Sequence, residues 1–191
     1  MSCEYSDARG PGRGLPAWAR PRVRRLDPRS YVRAQDFFDA VRDAAGERAG
    51  ILRAIGSMES REGVRAQGYE ATGRSVQSSD RMAATDARMD YEADRGPVLE
   101  EDEAMLRLAE SLIWGGEGGD MRGGVLNLMG YEVAAAMEEY YVHALPWAEV
   151  ARRLGYSADY TEKPKALCRQ GLDCIDFLGW GGVIPGEGKA T

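Results

Sequence analysis

Between Tyr31 and Ile55, apolar residues return every three or four positions: Tyr31, Ala34, Phe38, Val41, Ala45, Leu52 and Ile55. That spacing sets them on one side of a helix and leaves the other side to water. Arg48 alone interrupts the stripe. Asp27 followed by Pro28 has the form of a helix start, an N-cap residue and then proline at the first helical position. The pattern predicts one amphipathic helix over residues 28–57. A helix with a single apolar face must bury it against another element, so a second helix or a sheet has to follow.

A second helix follows. Residues 57–79 carry Gly, Ser, Arg and Gln without a period and read as a long connection. Ser79 or Asp80 then caps a helix with Met82, Thr85 and Met89 on one face. Gly96-Pro97 interrupts it, which predicts a kink or two helices in tandem. The period resumes through Leu99, Met105, Leu106, Ala109, Leu112 and Ile113. Folded back, residues 28–114 form a coiled-coil-like antiparallel helical pair, the expected place of homo-oligomerisation. Trp114 to Gly124 holds six glycines in eleven residues and reads as a linker and domain boundary. It matches neither GxGxxG nor a Walker spacing.

Beyond it, Val125, Leu126, Leu128 and Met129 form one apolar turn, and Val133, Met137, Tyr140 and Tyr141 a helical stripe. No segment alternates with period two, so the fold class is all-α: a basic arm (residues 1–27), the helical pair, and a C-terminal trihelical domain over residues 125–180.

Charge is polarised along the chain. The net charge is −6, yet eight arginines against three acids leave +5 on residues 1–33, and four arginines against ten acids leave −6 on residues 80–113. With 43% hydrophobic and 29% charged residues the composition is that of a globular chain. No apolar run approaches the ~18 residues of a membrane span, and residues 1–14 contain no signal-like apolar stretch. Three cysteines without CxxC spacing fit a reducing compartment. The expectation is a cytoplasmic chain.

The stretch that speaks to function is Leu145 to Lys163. Pro146 suits the first position of a short helix. Trp147, Val150, Ala151 and Leu154 share one face, and Ala151 is small where a crossing helix comes close. Gly155 stands where the chain leaves that helix in a left-handed conformation. Ser157 is an N-cap candidate for a second helix, whose apolar face runs through Leu167, Cys168, Leu172, Ile175 and Leu178. Helix, tight turn and longer helix is the layout of a helix-turn-helix. Bundles that touch no nucleic acid share it.

The run LPWAEVARRLGYSADYT resembles region four of bacterial sigma factors at Leu145, Trp147, Glu149, Val150, Ala151, Leu154, Gly155 and Ser157. The whole layout is similar to small phage and prophage regulators with a sigma-region-four-like C-terminus. The resemblance implies double-stranded DNA as partner, RNA polymerase as a further one, and control of late phage genes. Three departures stand out. Pro146 replaces a capping Ser or Thr. Pro164 falls in the recognition helix, where a start at Thr161 would place it in the tolerated first turn. Asp159 and Glu162 sit where phosphate or base edges would be met.

In a major-groove pose the readers would be Ser157, Ala158, Asp159, Glu162 and Lys163, with Glu162 able to accept from cytosine N4. Arg152, Arg153, Lys165 and Arg169 would touch phosphate. In the arm, Arg22, Arg24 and Arg25 follow a groove, bind an acidic partner or keep a tail solvated.

Enzymatic chemistry is not expected. His143 stands alone, so a metal site is not expected. Cys168 and Cys174 read as small buried hydrophobes. Glu100, Glu101, Asp102 and Glu103 read as a solvated face or a helix N-terminal charge cluster. No nucleophile motif or cofactor loop occurs. Beside the regulator, two further readings stay open: a DNA-packaging recognition subunit built on a ring, and an acidic protein that binds and inhibits a host protein through residues 80–113.

Overall fold

The structure is a computed structural model that describes residues 26–67, 78–116 and 123–184; Arg22, Arg24 and Arg25 of the basic arm lie outside them. Every regular element among these residues is helical, and the fold is all-α. Helix α1 spans Ala34–Gln67 and α2 spans Ser78–Trp114. Three shorter helices follow: α3 (Val125–Met129), α4 (Tyr131–Met137) and α5 (Trp147–Arg153). A π-turn at Glu138–Val142 prolongs α4. Helix α6 covers Glu162–Leu178, and α7 is a single turn at Trp180–Val183.

The start of α1 differs from expectation. Asp27 does cap a turn, accepting from Arg29 N–H at 3.0 Å, but Pro28–Ser30 is only a 3-10 turn. The long helix begins six residues later, at Ala34. Its first N–H donates to Asp176 Oδ1 of α6 at 2.7 Å. A tertiary partner therefore satisfies the orphan donor that a local cap would otherwise take. The helix also runs ten residues past 57, so some of the predicted connection is helical.

Helices α1 and α2 pair antiparallel. Arg48 meets Glu103 at 3.5 Å near the middle, and Glu62 meets Arg88 at 3.1 Å further out. Arg48, the one break in the apolar stripe, thus turns out to be an ion-pair position on the α1–α2 seam. Pro97 does not divide α2, which is assigned as one helix throughout. Pro97 and Ala93 are exposed, so solvent can bond the Ala93 carbonyl that a proline four residues on leaves unpaired. Met82 and Met89 are exposed, at 68% and 58%. Asp102 is fully buried, so the acidic run Glu100–Glu103 is not one solvated face.

Among the described residues, only the inner half of the pair is embedded. Phe37, Phe38, Val41, Met105, Leu112 and Ile113 are fully buried, in one cluster with Val133, Met137, Leu167 and Ile175 of the C-terminal helices. The glycine-rich segment therefore does not separate one core from another. Its ends meet: a side chain on Gly124 would come within 2.6 Å of Gly115 N, and both glycines have positive φ. Gly124 N–H in turn donates to Val183 O of α7. Outward from the core, among the described side chains, Ile51 is the last buried residue of α1 and Asp102 the first of α2.

Candidate nucleic-acid interface

The α5–α6 unit is built on α4 and α1. Val150 and Ala151 turn inward and are fully buried. Trp147 stacks on Tyr140 with centroids 3.6 Å apart and planes 14° from parallel. Arg42 of α1 lies 3.7 Å from the same ring centroid and donates to the Tyr140 carbonyl at 2.8 Å. At those distances the guanidinium and the indole must lie on opposite faces of the phenol. This three-layer stack ties α5 to α1.

The α5 terminus is as its sequence demands. Gly155 has φ +83°, Tyr156 N–H donates to Ala151 O and Gly155 N–H to Arg152 O. Those two bonds make a Schellman motif. Ser157 does not cap α6. Its carbonyl accepts from Tyr160 N–H, closing a further turn, and α6 begins at Glu162 after Thr161. Pro164 is the cause: third in the helix, it needs no helical donor there. It is buried. The two helices are consequently joined by the eight residues 154–161, longer than the three or four of a compact helix-turn-helix.

Helix α6 buries Leu167, Cys168, Gly171, Leu172 and Ile175. Gly171 allows close approach, since a side chain there would drive into Met137 and Val133 of α4. The Cys168 thiol is pushed up to about 12 by burial, with Arg42 opposing weakly, so it stays protonated. Cys174, half-buried, is shifted the same way. Leu178, expected on the buried face, is 44% exposed, and Phe177 beside it 89%.

The predicted contact residues among the described ones all reach the surface, and ion pairs occupy several of them. Ser157, Asp159, Glu162, Arg169, Arg152 and Arg153 are exposed; Lys163 and Lys165 are partly so. Arg152 pairs with Glu149 at 2.8 Å and Arg153 with Glu139 at 2.8 Å. Lys165 pairs with Glu162 at 2.8 Å and holds its carboxyl below the usual range. Among the described residues, Lys163 and Arg169 have no carboxylate within pairing distance. Three bases and three acids leave α6 itself neutral.

Sequence reasoning missed Arg42, Asp176 and Gly171. Only Gly171 carried a signal, lying on the stripe of Leu167, Cys168, Leu172 and Ile175. Among the described residues no three His, Cys, Asp or Glu side chains converge as a metal site, and no helix is long and apolar enough to cross a membrane. Comparison with family models, with curated proteins and with solved structures finds no match.

Proposed function

We propose that this chain is a double-stranded-DNA-binding transcriptional regulator of the phage or prophage kind, presenting the first turns of α6 to the major groove. One observation carries the reading: α6 is anchored along its inner row, while the opposite row, Glu162, Ala166, Arg169 and Gln170, is open from its first turn. Lys163 and Arg169 are the cations free for phosphate. Glu162, positioned by Lys165, is the candidate acceptor for a cytosine amine. With α6 neutral, affinity rests on few phosphate contacts and on whatever the basic arm adds.

A gel shift on DNA from around the chain's own gene tests it, using the wild type and Lys163→Ala with Arg169→Ala over a range of salt. Retention that survives competitor DNA, is weakened in the variant and shows a salt slope reduced by about 2 is expected. No retention at any salt overturns it.

A second reading is favoured by the pairing of Arg152, Arg153 and Lys165 with their own carboxylates: the module docks on protein, with RNA polymerase as the partner the sigma-like motif implies. Association with purified polymerase in the absence of DNA would separate this from the first.

A further inference from the structure

The outer faces of the two long helices are unalike. On α1, the row pointing away from α2 runs Gly46, Gly50, Arg53, Ser57 and Arg61, at spacings of four and three. On α2 the corresponding row is Met82, Asp86, Met89, Ala93, Gly96 and Glu100, with exposed Asp90 at its edge next to Asp86. One face is small and basic; the other is apolar, small and acidic. Both are unpartnered, since no residue of 52–62 or 82–101 is buried.

The charges on these faces are unspent. Among the described residues Arg61, Asp86, Asp90 and Glu100 have no ion-pair partner, and Arg53 donates only to the Ala49 carbonyl one turn back. The glycines are unexplained within the chain as well. A side chain on Gly171 would collide with its neighbours, whereas one on Gly46, Gly50 or Gly96 would meet nothing within 4 Å. Glycine weakens a helix relative to alanine, and close approach of another helix is what it permits in exchange.

We infer that the partner is a second copy of this chain, lying alongside with its α2 outer face against the α1 outer face of the first. The ion pairs Arg48–Glu103 and Glu62–Arg88 fix which residues of the two helices stand at one height. In a neighbour pointing the same way, Arg61 stands level with Asp90, and Arg53 lies within one turn of Glu100. Between these charges Ser57 faces Ala93 and Ala54 faces Gly96, so small residues meet small residues and the helices can close. Met89 covers the Ser57 end of that strip. The contact is heterologous: each copy offers a basic face to one neighbour and an acidic face to another, so copies add head to tail, into a ring where the rotation closes and an open filament where it does not. The inference is independent of DNA binding by α6.

Charge exchange tests it without DNA. Three chains are compared by light scattering at micromolar concentration: the wild type, Arg53→Glu with Arg61→Glu, and Asp90→Arg with Glu100→Arg. All four positions are exposed, and circular dichroism checks that helix content is kept. The wild type is expected above the monomer mass, each variant alone to associate on the order of tenfold more weakly or worse, and their equimolar mixture to regain the assembly. A monomeric wild type overturns the inference. So does assembly of either variant as strong as the wild type's, or a mixture that stays dissociated.

Discussion

The two halves of the long helical pair have the same helical period and different physics. In the base, up to Ile51 of α1 and from Asp102 of α2, a third layer of helices lies on the pair. There Phe37 meets Tyr31, Phe38 and Trp180 edge-to-face at centroid distances of 5.1–5.4 Å. In the outer arm no third layer lies on the pair among the described residues. Ile55 and Met58 are only partly buried, and one ion pair, Glu62–Arg88, links the helices, with Glu92 one turn along α2 holding the same guanidinium. Those two carboxylates raise the Arg88 pKa above its usual value. Helical periodicity is thus enough to pair two helices. A dry core needs one more surface than a pair can supply.

The sharpest way to break this contrast is truncation of one apolar residue in each half. Phe37→Ala should cost about 3–5 kcal/mol in urea unfolding, because ring contacts on all sides leave a cavity that cannot collapse. Ile55→Ala, already half in water, should cost less than about 2 kcal/mol. Equal losses would mean that the arm has a core of its own.

Two buried groups make the base sensitive to alkaline pH. The buried Cys168 thiol keeps its proton to about pH 12, while an ordinary thiol loses it near 9. Its folded value is raised, so its contribution is complete below pH 9 and lost above. Stability should fall progressively as pH rises through that window, on the order of 1 kcal/mol per pH unit. The buried Tyr141 hydroxyl, raised in the same direction by burial, adds to the decline above pH 10. Cys168→Ala should reduce the decline between 9 and 10, leaving the part due to Cys174, whose thiol is raised the same way; an unchanged slope there would remove Cys168 as a source.

The smallest expected effect sharpens the contrast instead. Arg88→Gln should change global stability by less than about 1 kcal/mol, since partly exposed ion pairs contribute little. Amide exchange in residues 52–62 should nonetheless quicken while residues 34–51 keep their protection. Uniform quickening would show the arm and the base opening as one unit.

The all-α class, the long pair and the glycine exit from α5 were legible because each is local: a period, or a residue whose backbone freedom suits a turn. Gly155 announced itself in this way. What could not be read is what depends on a distant partner. Asp27 and Pro28 look like the start of a helix, and the true start lies where Asp176 waits. Leu52 lies on the predicted stripe yet is 44% exposed, because the seam beyond Ala45 follows Arg48, Ile51, Ile55 and Met58. Met82 and Met89 were grouped correctly as one face, but nothing local tells which way a face points. Of the candidate site, the exposure of the charged residues in 152–169 is what their charge implies, since long charged side chains stay in water. The pairing of Arg153 with Glu139, fourteen residues away, was not legible.

The bond from Ala34 N–H to Asp176 also orders events during synthesis. It joins residues 142 positions apart, so the ribosome must make most of the chain before α1 can be capped. The helical pair, with its short sequence separations, can form while the rest is still being translated. Its apolar inner half must then wait, uncovered, for α4 and α6 to arrive. For that interval the nascent chain exposes the surface most prone to wrong partners, and a neighbouring copy on the same messenger would be within reach of it.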